Sequence, residues 1–214
     1  ELMCGTGRVS IPLLDSGRNM TCVDYSKGML ELFEKKIKNK NYKVNLIQMD
    51  VINLKLNKKY GLILLPFHSF AEIISTDLQI KALQSISAHL EKNGTFILTL
   101  QNPKTRLRLA DGITRVMGKF RIDENRQLII SYTNQYNETD KMVSGFQFYE
   151  IYDSMNILIE KRYLEINFRL ITDSELRDMI KTAGLEIIKM YGDYSSNSFE
   201  EETSNFMIYT LTKR

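Results

Sequence analysis

The run Glu1-Leu2-Met3-Cys4-Gly5-Thr6-Gly7-Arg8 decides the fold. Its apolar opening reads as the end of a strand and Gly5-Thr6-Gly7 as a sharp turn. Val9, Ile11, Leu13 and Leu14 then mark one face of a helix that stops at Gly17. Glycines between a strand and a helix let the backbone turn tightly and approach a ligand closely. The helix start beyond them offers unpaired N–H groups and a positive dipole end. Asp24 lies 17 residues after Gly7, just past a second short apolar run at 20–23. A carboxylate there accepts hydrogen bonds from both hydroxyls of a ribose, so the stretch describes an adenosine nucleoside site. A dinucleotide fingerprint needs a third glycine where Ser10 stands. Glu1 would repel a pyrophosphate but suits the ammonium of an amino-acid tail.

Outward from this loop, β-rich runs alternate with amphipathic helices. Ser26 is a candidate N-cap for a helix carrying Met29, Leu30, Phe33 and Ile37. Strands are expected at 44–49, at Tyr60–Leu65 and, led into by Asn93-Gly94, at 95–100; a helix is expected over 77–90. This is the pattern of an α/β fold, a mostly parallel sheet with helices on both faces. After Pro103 the pattern changes. Segments near 127–136, 143–153 and 156–168 read as antiparallel strands joined by short polar turns. Thr172 and Glu175 then stand in capping-box positions before a helix ending at Gly184, and strands at Leu185–Tyr191 and 206–211 close the chain. The expected organisation is a core of residues 1–104 and 169–214 with an antiparallel substrate or lid subdomain, 105–168, inserted in it.

With 214 residues, 43% of them hydrophobic, the chain can bury one full core and a small appendage. Its 29 basic and 26 acidic residues leave a net charge of +3, neither an acidic tail nor a polycation. Nucleic acid is therefore not the expected partner. Cys4 and Cys22 form neither a metal-ligand spacing nor a disulfide framework, so no metal site is expected and a reduced, cytoplasmic setting is. No apolar run is long enough to cross a bilayer and no signal peptide is visible. The chain opens on Glu1 inside what reads as a strand, so further residues are expected upstream. Oligomeric state is left open.

Taken together, the motifs resemble those of class I S-adenosylmethionine (SAM)-dependent methyltransferases. Glu-Leu-x-Cys-Gly-Thr-Gly-Arg resembles the family's first motif, and Val23-Asp24-Tyr25-Ser26-Lys27-Gly28-Met29-Leu30 its second. Gln48-Met49-Asp50-Val51 resembles the third, His89 to Phe96 the approach to the fifth strand, and Arg169 to Tyr191 the last helix and strands. The resemblance implies a Rossmann-like, seven-stranded sheet that binds SAM and releases S-adenosylhomocysteine. It implies a cofactor site formed by Glu1, Cys4, Gly5, Thr6, Gly7 and Arg8, by Asp24, Tyr25 and Met29, by Asp50 at the adenine amino group with Val51 on its ring, and by Leu65 and Phe67. One departure is Met3, which stands where the family commonly has its first glycine.

The loop after Leu65 reads Pro66-Phe67-His68-Ser69-Phe70. It lacks the Asn/Asp-Pro-Pro-Tyr/Phe signature of enzymes that methylate adenine or amide nitrogens, which argues against base flipping. Phe67 and Phe70 are candidates to wall the sulfonium, Phe70 on the substrate side. His68 is the candidate general base, set against a histidine that only packs locally; His89, at a helix end, reads as structural. In the insertion, Tyr132 and Arg162 are the substrate-binding candidates, although alternation lets only half of such side chains face a pocket. The expected function is methyl transfer to nitrogen or oxygen of a small-molecule acceptor. Two alternatives remain. One is an RNA methyltransferase using the basic cluster Lys104, Arg106, Arg108, Arg115, Lys119 and Arg121. The other is a non-catalytic SAM-binding protein, for which Met3 is the hint.

Overall fold

A computed structural model describes residues 1–213. Strands β1 (Met20–Asp24) and β2 (Val44–Gln48) pair in parallel. Strands β3 (Tyr60–Leu65), β4 (Leu90–Gln101), β9 (Leu185–Tyr191) and β10 (Phe206–Lys213) form a mixed sheet in the order β3-β4-β10-β9. Residues 1–4 bridge the two ladders. Leu2 N–H donates to Leu64 O (2.9 Å), Val23 N–H to Glu1 O (2.9 Å) and Cys4 N–H to Val23 O (3.0 Å). The single, mostly parallel seven-stranded sheet expected from sequence is therefore a parallel pair and a mixed four joined by one short bridge. β10 runs antiparallel to both its neighbours. No helix separates β9 from β10, and a parallel return would need such a crossover.

Four helices pack on these strands. α1 (Ser10–Asp15) and α2 (Lys27–Ile37) cover β1 and β2 through Leu14, Cys22, Leu30 and Phe33. α3 (Thr76–His89) and α5 (Asp173–Thr182) cover the mixed sheet through Leu83, Ile86, Leu176 and Ile180. The caps read from sequence are present. Ser26 Oγ accepts from Met29 N–H at 3.3 Å, and Thr172 and Glu175 form a reciprocal capping box; each such cap contributes roughly 1 kcal/mol. His89 is structural: its Nε2 accepts from Leu56 N–H (3.0 Å), so Nδ1 carries the proton that Ser85 O accepts (2.8 Å). Asn93-Gly94 does not precede the strand it was expected to lead into. It lies inside β4, where the register to β3 shifts and a Cβ on Gly94 would come within 2.9 Å of Tyr60 O.

The second sheet is antiparallel, in the order β5 (Arg115–Arg121), β6 (Arg126–Asn137), β7 (Met142–Asp153), β8 (Leu158–Arg169). Three of its strands follow the sequence reading, whereas β5 was hidden in the basic stretch. Helix α4 (Pro103–Leu107) leads into this sheet from β4. Asn102 fixes α4: its side-chain amide donates to Glu201 O (2.7 Å) and Ser204 O (2.8 Å), and its oxygen accepts from Lys104 N–H (3.1 Å). At the base of the sheet, Val143 packs with Ala110 and Leu170, and Phe168 touches both this cluster and the main core. Glu175 ties the base down, accepting from Lys141 Nζ (2.9 Å) and Arg169 Nη2 (3.0 Å) while capping α5. Beyond the base the sheet projects outward, with Phe120, Ile159, Tyr163 and Leu164 exposed.

Candidate active site

Asp24 organises the glycine loop. Gly5 N–H donates to its Oδ2 at 2.7 Å and Ser26 N–H to its Oδ1 at 2.8 Å, so one carboxylate ties the loop to the end of β1. Each oxygen keeps acceptor capacity for another donor. Gly5 has φ +54°, and a Cβ there would meet nothing within 4 Å: the loop leaves an open cradle. Gly7 has φ +81° for a different reason, since a Cβ would lie 2.5 Å from the Phe33 ring beneath it. Met3 has φ +52°, in the left-handed region that favours glycine, the residue the motif resemblance leads one to expect there.

The other nucleoside candidates gather beside this cradle. Met49 N–H donates to Asp24 O (3.0 Å), and the Gln48 amide to Tyr25 O (3.2 Å). Asp50 Oδ1 accepts from Ile52 N–H (2.9 Å), with Val51 buried behind it. Tyr25 and Met29 stand exposed above. Thr6 is held from the α2 side, its Oγ1 accepting from Lys36 Nζ at 2.6 Å. Cys4 is buried, and its thiol pKa is pushed up by neighbouring Cys22 and by burial. Glu1 is not displayed at the cradle. Its carboxylate accepts from Ser10 Oγ at the start of α1, and burial raises its pKa against that hydrogen bond. Leu65 is enclosed in the core and presents no side-chain surface.

The loop after β3 makes the second half of the site. Phe67 (φ +55°) and His68 (φ +66°) are consecutive non-glycine residues in the left-handed region, a strain that persists only where the surroundings enforce it. The Arg8 guanidinium lies 3.4 Å above the centre of the Phe67 ring. His68 stacks on Phe206, with centroids 5.4 Å apart. Burial, then the nearby Arg106 charge, lower its pKa to about 4 against a hydrogen bond to the Thr99 backbone, and its Nδ1 has no partner. The turn next drives Phe70 inward to 0% exposure, so Phe70 is core and not the substrate contact expected of it. Glu72 instead stays open to the site. Its carboxyl pKa is raised by desolvation first and by the Asp24 charge second.

These residues line a cavity of about 600 Å³. Arg8, Phe67, His68, Ala71 and Glu72 form one wall, with Gln101 and Arg106 at the entry to the second sheet. Met117, Gln147, Glu165, Ile166, Asn167 and Phe168 of that sheet form the other. Glu72, Gln101, Gln147 and Glu165 were not singled out from sequence, because nothing in a linear pattern marks strands distant in sequence as facing one wall. Tyr132 does not line the cavity; its ring lies 5.9 Å from the Arg106 guanidinium. Arg162 is also displaced from it, its side chain 79% exposed and paired with Glu160. The basic cluster is dispersed. Lys104 pairs with Glu202 (3.1 Å), Arg115 with Asp111 (2.6 Å), and Arg106 turns into the cavity.

Residues 1–94, which contain the glycine loop, Asp24 and Asp50, match the family described as methyltransferase domain. Residues 1–94 carry a SAM-dependent methyltransferase domain. It is 23% identical over 208 residues to the cypemycin N-terminal methyltransferase of a Streptomyces species, covering 97% of this chain and 80% of that protein. It is 30% identical over 103 residues to the ribosomal RNA small subunit methyltransferase A of Mesomycoplasma hyopneumoniae, covering 48% of this chain and 36% of that one. Among solved structures, a SAM-dependent methyltransferase from Clostridium acetobutylicum superposes with a TM-score of 0.81 at 23% identity, covering 99% of this chain and 82% of the other. The amino pentose methyltransferase CalS10 of Micromonospora echinaspora gives 0.74 at 17% identity, with 98% and 80% covered. At such identities the structural likeness is one of fold. Among the described residues no helix is long and apolar enough to cross a membrane, and no group of three or more His, Cys, Asp or Glu is placed to hold a metal ion.

Proposed function

We propose that this methyltransferase acts on the amino group of a small molecule held in the cavity between the glycine loop and the antiparallel sheet. Bound SAM supplies an electrophilic methyl group on a sulfonium. The open cradle at Gly5 and the spare acceptor capacity of Asp24 suit its ribose. Asp50, with Tyr25, Met29 and Val51 beside it, suits the adenine. Gly7 and Thr6 hold the turn, and Arg8 over Phe67 marks the border with the acceptor. The pairing of Cys4 and Cys22 as buried free thiols fits a reducing, cytoplasmic setting.

The cavity itself carries this reading. Its volume of about 600 Å³ lies within the range of small-molecule pockets, and its two walls offer the carboxylates Glu72 and Glu165. An ammonium is attracted there. Glu72, with its raised pKa, is better matched than an ordinary carboxylate to take the proton the amine must lose before attack. A hydroxyl acceptor would need a stronger base, and His68, held near pKa 4, is a feeble one. RNA is disfavoured because half of the basic cluster is withdrawn from the surface field: Lys104 and Arg115 are paired with carboxylates and Arg106 is turned inward. Alignment in the left-handed region lets Met3 stand in the loop with the Gly5–Asp24 contact intact, which speaks for a working cofactor site.

The test is methyl transfer from isotope-labelled SAM to separate panels of small amines, small alcohols and ribosomal RNA fragments. Label is expected in amines alone. Label in RNA or alcohols, with none in amines, would overturn the reading.

A further inference from the structure

Arg106 is a cation without a counter-ion. Nothing pairs it among the described residues, although its neighbours in sequence, Lys104 and Arg115, each have a carboxylate. Its guanidinium is packed beside the rings of Phe168 (5.3 Å) and Tyr132 (5.9 Å). Nη2 reaches the side-chain amide of Asn134, but Nε and Nη1 are enclosed and have no partner. The point from which the side chain starts is fixed. Arg106 N–H donates to Asn102 O (2.9 Å), and Asn102 is itself bonded to the 201–204 loop. Burying an unpaired charge with unmade hydrogen bonds is costly, and a fold keeps such a group where a ligand completes it.

The neighbour facing it fits the same purpose. His68 is held neutral, and its ring hydrogen bond is directed to the Thr99 backbone. Its free Nδ1 adds no second positive charge to the cavity. Glu72 and Glu165, the carboxylates in the cavity, are not within ion-pair distance of Arg106. The cavity thus holds separated charges of both signs.

We propose that Arg106 binds an anionic oxygen group of the acceptor, so that the substrates are amines that also carry a carboxylate or a phosphate. This rests on the cavity being the acceptor site. A planar guanidinium with free N–H groups forms charge-assisted hydrogen bonds to either anion. Arg8 follows the glycine loop directly and stacks on Phe67, whereas Arg106 enters the cavity from the side of the antiparallel sheet, beside Phe168 and Tyr132.

The experiment uses the full chain saturated with S-adenosylhomocysteine. Inorganic phosphate and acetate are titrated separately while the methyl resonance of Met117, in the same cavity, is followed by NMR. Saturable shifts are expected, at least tenfold weaker in Arg106→Gln and partly restored in Arg106→Lys, with S-adenosylhomocysteine affinity unchanged. The tighter anion identifies the phosphate or carboxylate class. Absence of a saturable shift in the native protein, equal binding by Arg106→Gln, or a parallel loss of S-adenosylhomocysteine affinity would each overturn the proposal. Labelled SAM then separates the two readings. An aminohexose should be a poorer acceptor than its 1-phosphate or its uronic acid, and Arg106→Gln should raise KM at least tenfold for the anionic amine only. Equal use of neutral and anionic amines, unaffected by Arg106→Gln, would remove the anion site and leave amine methylation standing.

Discussion

The core strands and the antiparallel sheet of this molecule solve different problems. In the core, β3 and β4 are enclosed by α3 and α5, and Leu65, Phe96 and Leu98 are fully buried. β1 and β2 are packed in turn by α1 and α2 through Cys22, Leu30 and Phe33, so the Gly5 loop, Asp24 and Asp50 project from fixed strand ends. The antiparallel sheet is anchored only at its base, by Val143, Phe168 and the ion pairs of Glu175, and leaves large apolar side chains such as Tyr163 and Leu164 in solvent. On the proposed function, the core strands set the cofactor geometry. The antiparallel sheet closes the cavity, and its small local core makes it the part that can move.

Substitutions can break that division. Gly5→Val should have the largest effect, filling the open cradle and abolishing measurable SAM binding by calorimetry. The fold should survive with a loss of about 1–2 kcal/mol for a branched residue in the left-handed region. Retained affinity would show that the cradle is not the cofactor site.

His68 joins the two regions, and its effect should appear in acid stability. Its folded pKa, about 4, lies below the ordinary 6.5, so the folded state resists protonation. Native stability should fall as pH drops from about 6.5 toward 4, by about 3 kcal/mol at the lower end. His68→Gln should flatten that part of the denaturation profile while leaving the neutral-pH rate profile unshifted. A shifted rate profile would return the histidine to catalysis.

Asp24→Ala removes a charged acceptor from two backbone N–H groups and from the cofactor. SAM affinity should weaken roughly tenfold to a hundredfold, at about 1.5–3 kcal/mol for such bonds. Glu175→Gln tests the other sheet's anchorage. Burial works to raise this carboxyl's pKa, but Thr172, Lys141 and Arg169 together hold it below the ordinary range. Its contribution is therefore present above the unfolded value and lost as pH falls through the folded one. The variant should lose about 1–2 kcal/mol at neutral pH, keep its SAM affinity and show a raised acceptor KM. Arg162→Ala should do least: an exposed pair with Glu160 is worth below about 1 kcal/mol, and acceptor KM should not move.

The same contrast explains what could be read in the sequence. Tyr60–Leu65 and Leu185–Tyr191 stand as expected, because apolar runs between turn residues leave one reading. The glycine loop was legible because its chemistry is local. β5 was not, since Arg-Val-Met-Gly-Lys-Phe-Arg alternates charge with apolar residues on a sheet edge and looks like a solvated basic stretch. Phe70 was turned into the core, and the unread Glu72 left at the cavity, by a turn whose left-handed residues, Phe67 and His68, carry no sequence mark. Arg106 was visible only as one of several cations. Its direction depends on Asn102 and a loop about a hundred residues away.

Hydrogen–deuterium exchange, with and without S-adenosylhomocysteine, tests the division of labour most directly. Slowed exchange is expected in residues 4–8, 24–26 and 49–52, with β5 to β8 unchanged until an acceptor is added. Protection confined to the antiparallel sheet, or spread equally over the core strands and that sheet by the cofactor product alone, would contradict that division.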